Sequence, residues 1–327
     1  MSVGLGIAAI IGLALACASA PLAVYIVALA LFGWAHVLSE MRYVDLRFGP
    51  RVGGRLRRSL GVGLALVAVV RAGANVGWLP SVVAVPVELA LVVALVVAVL
   101  PALTGRVARI TAVIAAAAVA AGVAWAPVHT LLLLAVLHNF TPVGFLAEIL
   151  RGPARRRALA VAAGVFLGVP LVLAGGWLQS WLAQIGWWQP ELSLLGAGDL
   201  HANMGAYLPQ EMRAAPWAVH VFAGAVFAQC MHYAAVIYIL PRRLPGPALG
   251  RAGTDPGAAA AQAVVPWPRA DRFAVAVAVF SLAMFAAFAL DYRNARGAYS
   301  VAAAIHAWIE LPILLLALGG RGAPARA

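Results

Sequence analysis

The sequence predicts an all-α fold, a polytopic transmembrane bundle of about ten helices with both termini in the cytoplasm, and three observations carry that prediction. Hydrophobic residues make up 64% of the 327-residue chain and charged residues 10%, with a mean hydropathy of +0.96; a soluble domain of this size would lack the polar surface to cover itself. Apolar runs recur at the length of about 20 residues that crosses a bilayer as helix. The 23 basic residues are all arginine, and they fall on alternate loops. The formal charge of +12 therefore reports topology and contact with anionic lipid rather than nucleic acid.

The spans read in order as Val3–Ala20, Pro21–Val44, Ser59–Trp78, Ser81–Leu103, Ile110–Ala126, Pro127–Leu150, Ala158–Trp177, Ala215–Leu240, Phe273–Leu290 and Ala298–Leu318. The first ends in Ala18-Ser19-Ala20, which has the shape of a signal-peptidase site, but no basic residue precedes it and Pro21 follows, so an uncleaved helix is expected. Between spans, the loop Arg42–Arg58 carries six arginines, Arg106–Arg109 two, Arg151–Arg157 four, Arg242–Arg272 five and the tail two; the opposite side has Arg213, Arg293 and Arg296. The positive-inside rule then places the arginine-rich loops in the cytoplasm, and the chain reads as integral to a bacterial inner membrane. Residues 1–320 are expected to form a single membrane domain. A Trp-rich external loop, 178–214, is expected to cap it, and 241–271 reads as a flexible cytoplasmic loop. Residues 321–327 read as a disordered tail. Cys17 and Cys230 lie in separate spans and offer no disulfide framework or CxxC metal site.

Arg71 and Glu88 sit on consecutive spans, each about eight residues from the turn at Leu79-Pro80. Equal depth predicts an intramembrane ion pair that locks the two helices, with Asn75 as support.

Function is read from the histidines. Four of the seven, His36, His138, His232 and His306, lie inside spans, where an ionisable side chain is costly and marks a functional site. All four spans run from outside to inside, and counting at about 1.5 Å per residue brings the four to comparable depth. His36-x-x-x-Glu40 and His306-x-x-x-Glu310 each put a carboxylate on the histidine's own helix face. Gln229 and Asn139 lie nearby in depth. Imidazole with carboxylate is a ligand set for iron, zinc, copper or manganese, and a metal would offset the burial of the two glutamates. Glu310, and Glu40 with it, serve as ligand or proton-transfer base; alternatively Glu40 pairs with Arg42 or Arg47. A second, external set comprises His129, His220, His201 and Asp199, which read either as a further metal site or as solvated and interfacial residues.

The expected function is a membrane-embedded metal-dependent enzyme, an iron-dependent oxidoreductase or oxygenase acting on a lipid or other apolar small molecule at the midplane. Zinc or copper are the other metals to consider. The alternatives are a b-type haem electron-transfer protein and a proton- or cation-coupled transporter. No two histidines are closer than nine residues, so the clustered histidine boxes of membrane hydroxylases are absent, as are HExxH, a Walker loop and a nucleophile elbow.

Overall fold

Ala20 and Pro21 part the first two apolar runs, because proline fixes φ and lacks an N–H, so a helix starts there rather than passing through. The computed structural model describes residues 3–244 and 263–319. The molecule is 82% helical, with no strand among the described residues. In chain order the helices are α1 (Val3–Ser19), α2 (Pro21–Phe48), α3 (Gly54–Asn75), α4 (Ser81–Val99), α5 (Arg106–Trp125), α6 (Pro127–His138), α7 (Thr141–Ile149), α8 (Gly152–Ala163), α9 (Val169–Ala174), α10 (Trp177–Gln184), α11 (Leu200–Met204), α12 (Ala218–Ala234), α13 (Ala270–Leu290) and α14 (Tyr292–Gly319). A π-helical turn, Gly164–Gly168, joins α8 to α9, and another, Ala235–Ile239, extends α12.

Seven of these helical units are long and apolar enough to cross a membrane, and α6 with α7 make an eighth if their 42° bend is one broken span. The expected count of ten is not reached by these criteria. α1 has 17 residues, about 25 Å of helix against a hydrocarbon core of about 30 Å. α3 has 22 residues, but Arg55, Arg57 and Arg58 at its start and Arg71 further on dilute its apolar content. The sixth expected span is the one that breaks. Pro142, the second residue of α7, has no N–H with which to continue the α6 ladder, and the helix ends at His138.

Burial sorts the helices. α2, α12 and α14 are mostly enclosed, whereas α5, α8–α9 and α13 turn most of their surface outward. Two large apolar cores result, with a small third around Ala162, Phe166 and Ala235. One, with Tyr43, Phe48, Phe145 and Val96, lies toward the arginine-rich end. The other, with Tyr25, Phe222, Phe227 and Phe288, lies toward the opposite end. His36 and Glu40 on α2, and His306 and Glu310 on α14, fall near the junction of the two.

The two ends are chemically distinct. At one, Arg47 and Arg51 reach Glu148 at 2.8 and 3.4 Å. Asp45 accepts from the backbone N–H groups of Val264 and Val265, at 2.9 Å each, and from Trp267 Nε1 at 2.8 Å, strapping residues 264–267 across α2. At the other end the segment after α10 is tied to α1 by Gln189 N–H donating to Ser19 O, 2.8 Å, and by a contact of Ser19 Oγ with Trp187 O. Of the expected flexible loop 241–271, residues 245–262 lie outside the described residues, as does the tail 321–327.

Gly77, at φ +80°, lets α3 turn sharply into α4. Arg71 Nη2 lies 2.5 Å from Glu88 Oε1 across this pair, and Trp308 Nε1 donates to the same oxygen at 2.7 Å. Asn75 does not join them: its amide donates to Gly297 O and Ser300 Oγ, at 2.8 and 2.9 Å, fastening α3 to α14 instead. Cys17 and Cys230, distant in sequence, are side-chain neighbours across α1 and α12, both as free thiols.

Candidate metal centre

The four intramembrane histidines converge because their helices start at the same end and reach similar depth. His36 is the sixteenth residue of α2, His138 the twelfth of α6, and His232 and His306 the fifteenth of α12 and α14. α14 begins at Tyr292, six residues before the expected start at Ala298, and that difference removes most of the apparent scatter in depth.

His306 Nε2 lies 3.1 Å from both His36 Nε2 and His138 Nε2. A ring nitrogen carries either a proton or a lone pair, so two such neighbours cannot both be satisfied well by hydrogen bonds. The spacing is compatible with ligands of one ion. With metal–nitrogen bonds of about 2.0–2.1 Å, neighbouring ligands sit about 2.9 to 3.4 Å apart in octahedral or tetrahedral arrangements. One nitrogen from each of the four histidines lies within 4.8 Å of the others.

The glutamates complete the cluster. Glu40, Glu310 and His232 form a second group within 4.8 Å, so the two groups share His232. Glu40 Oε2 is 3.4 Å from His232 Nε2 and 4.0 Å from His306 Nε2. Both carboxylates are fully buried. Neither Glu40 oxygen has a hydrogen-bond partner, nor does Glu310 Oε1, nor either nitrogen of His232. Ions taken out of water cost several kcal/mol each unless compensated, and a cation bound among the two buried carboxylates and four imidazoles would supply that compensation. The donors fit a transition metal in type, spacing and orphaned lone pairs. The alternative of Glu40 pairing with Arg42 or Arg47 does not occur: Arg47 is taken by Glu148, and Arg42 Nη2 donates to Pro268 O at 3.4 Å.

Glu310 is held separately. Its Oε2 lies 2.6 Å from His138 Nδ1 and accepts from Thr141 Oγ1 at 2.7 Å. Thr141 stands at the α6–α7 break, where its hydroxyl also lies 2.9 Å from His138 O. The broken span thus brings a histidine, and the residue that steadies its carboxylate, to one point.

No protein family, curated protein or solved structure matches this chain.

A cavity of about 360 Å³ lies beside the four rings, bounded by Leu131, Leu132 and Ala135 of α6, by Ala303 and Ala307 of α14, and by Arg71. Three of the four histidines are buried; His138 is the exception, with 14% of its side chain accessible, and the site opens on its side. Tyr233 stacks on the His36 ring, centroids 4.0 Å apart. Its hydroxyl accepts from Gln229 Nε2 at 2.6 Å, and Gln229 Oε1 accepts from Tyr207 at 2.6 Å. The tyrosines had no decisive sequence signal. The tyrosine–glutamine series meets the cluster by stacking of Tyr233 on His36 rather than by a hydrogen bond. Asn139, by contrast, turns back on α6 to donate to Ala135 O and Val136 O.

The external set does not assemble. His129 Nε2 lies 2.6 Å from Glu211, both well exposed. Asp199 caps α11 by accepting from Ala202 N–H at 2.6 Å. His220 stacks on Trp188, and His201 is exposed at the start of α11. Among the described residues, ligand groups of three or more occur at the central cluster and not among these four.

Proposed function

We propose that His36, His138, His232 and His306, with Glu40 and Glu310, hold a transition-metal centre, iron in the first instance, and that the protein is a metal-dependent membrane oxidoreductase acting on an apolar substrate. The observation that carries this reading is the approach of His306 Nε2 to 3.1 Å from both His36 Nε2 and His138 Nε2, beside two buried carboxylates that leave both Glu40 oxygens and Glu310 Oε1 without a hydrogen-bond partner.

The residues divide the work. The histidines offer neutral lone pairs, which puts the His138 proton on Nδ1, where Glu310 stands. Glu310, with Oε2 2.6 Å from that nitrogen, steadies the ring by its charge, and Thr141 keeps the carboxylate in place. Glu40 supplies the remaining negative charge. When bound, a redox-active ion supplies one-electron chemistry and activation of dioxygen. The α6 and α14 side of the cavity, with Leu131, Leu132, Ala303 and Ala307, would receive an apolar molecule where His138 is accessible, and Arg71, Gln229 and Arg296 make the rest of its wall polar. The spacing supports a bare ion over haem, whose axial ligands stand on opposite faces of a macrocycle, about 4 Å apart. By the positive-inside rule the arginine-rich end faces the cytoplasm, with both termini.

Metal analysis of protein purified without chelator tests the reading. One or two ions per chain are expected, with loss in His232→Ala. Less than about 0.2 ion per chain, with no uptake when iron, zinc, copper or manganese is added back, overturns it.

A further inference from the structure

A larger cavity, about 920 Å³, lies on an adjacent face of α2, between α2, the π-helical end of α12 and α13. It is polar at one end and apolar along its length. At the arginine-rich end stand Arg42, Arg242 and Arg269; Phe32, Ala278 and Leu282 line the apolar part. From Arg42 to Leu31 the groove follows eleven residues of α2, about 16 Å, which is close to half the hydrocarbon thickness of about 30 Å.

Arg42 is the unusual member. It is 5% exposed and its Nε has no hydrogen-bond partner. Its guanidinium lies 4.6 Å from the Phe273 ring centroid. Nearby carboxylates are already engaged: Glu40 faces His232, Asp45 holds residues 264–267, and Glu148 takes Arg47 and Arg51. Among the described residues no carboxylate pairs with Arg42. Asp271, also on the rim, is 70% exposed and lies 3.8 Å from Arg269. The rim therefore keeps an excess of positive charge around a nearly buried guanidinium with a free donor.

We propose that this groove binds an anionic membrane phospholipid, its phosphate on Arg42, Arg242 and Arg269 and one acyl chain between α2 and α13. Guanidinium matches phosphate geometry with paired donors, and the depth matches one leaflet. Ser281, whose hydroxyl is buried without a partner, lies along the chain path. The site is independent of the metal reading.

Native mass spectrometry of the full chain released from bilayers of mixed phosphatidylglycerol and phosphatidylcholine tests it. Wild type retains phosphatidylglycerol preferentially. Arg42→Gln lowers that retention by about tenfold or more, as expected for loss of charge-assisted hydrogen bonds. Should Arg42→Gln fail to fold, Ala278→Trp, which fills the apolar part from an exposed position and leaves the arginines intact, produces the same loss. Metal content stays at the wild-type level in both variants, which separates this site from the centre. Equal retention of phosphatidylcholine, undiminished phosphatidylglycerol in Ala278→Trp, or a chain dimer released by Arg42→Gln each overturns the proposal.

Discussion

His138 Nδ1 lies 2.6 Å from Glu310 Oε2, while Nε2 of the same ring lies 3.1 Å from His306 Nε2. One imidazole is therefore held between a carboxylate and the cluster. In metal sites such a carboxylate fixes the tautomer and raises ligand basicity. Glu310→Gln keeps the volume and removes the charge, and it is expected to weaken metal binding about 10- to 100-fold. Thr141→Val, which removes the hydroxyl that meets Glu310 Oε2 and His138 O but keeps both of those residues, produces a smaller fall in the same direction. Competition against a chelator of known affinity measures both. Wild-type affinity in Glu310→Gln would show that this carboxylate does not orient the ring.

The proposed metal centre carries a second consequence of burying Glu40 and Glu310. An ion that binds only the folded chain stabilises it, by about 4 kcal/mol at a free concentration of 1,000 Kd, so stripping lowers the thermal midpoint. The stripped protein is left with two buried carboxylates in need of compensation. Glu40→Gln is then expected to act in opposite directions, lowering the midpoint of the loaded protein and raising that of the stripped one. Thermal melts of both forms, with helicity as readout, decide the matter. A variant that shifts both midpoints the same way indicates a packing role instead.

Arg71 and Glu88 link the α3–α4 hairpin to the centre through Trp308, two residues beyond His306. Arg71→Met leaves Glu88 buried without its cation, a change that costs about 3 kcal/mol or more for an enclosed pair. The paired substitution Arg71→Met with Glu88→Met recovers part of that loss, because no lone charge remains. Denaturation in detergent measures both. Equal stability of the single and double variants would mean that the ion pair contributes no coupling. Trp308 keeps its Glu88 acceptor in the single variant and loses it in the double, so metal affinity is expected to fall further in the double.

The legible parts of this molecule were those encoded by local spacing. The i, i+4 pairs His36/Glu40 and His306/Glu310 could be read directly, and parallel spans made a common depth for the four histidines computable from residue counts. Helix boundaries were the weak point. The start of α14 at Tyr292 is hidden because Arg293, Asn294 and Arg296 look like loop residues, yet Asp291 caps that turn by accepting from the Asn294 backbone and amide. The α6–α7 break follows from Pro142, but which residues it brings together depends on α14, which is remote in sequence. Contacts such as Arg47–Glu148, Cys17–Cys230 and Tyr233–His36 join helices whose relative rotation no single-helix pattern specifies. The external histidines show the converse: similar residues on one side of the bundle, without a shared helix register, stay apart.

Rotation is itself testable, because α12 is seated by backbone contact. A Cβ on Gly224 would stand 2.6 Å from the backbone oxygen of Pro170. A backbone atom cannot swing aside as a side chain can, and small residues at such crossings let membrane helices approach closely. Gly144 is the control: a Cβ there would stand 2.6 Å from Leu314 Cδ1, the flexible end of a side chain. Alanine at either position gains about 1 kcal/mol of helix propensity. At Gly144 that gain offsets a small repacking, and the substitution is expected to be near neutral. At Gly224 overpacking of about 1–3 kcal/mol exceeds the gain, and α12 must shift away from α9. His232 lies on the same helix eight residues on, about 12 Å along its axis, so a tilt at Gly224 moves its ring out of register with His36 and His306. Gly224→Ala is therefore expected to lose metal occupancy together with stability, and Gly144→Ala to keep both. Metal content and thermal midpoints of the two variants, compared side by side, distinguish this from a general intolerance of glycine replacement, which would affect both alike.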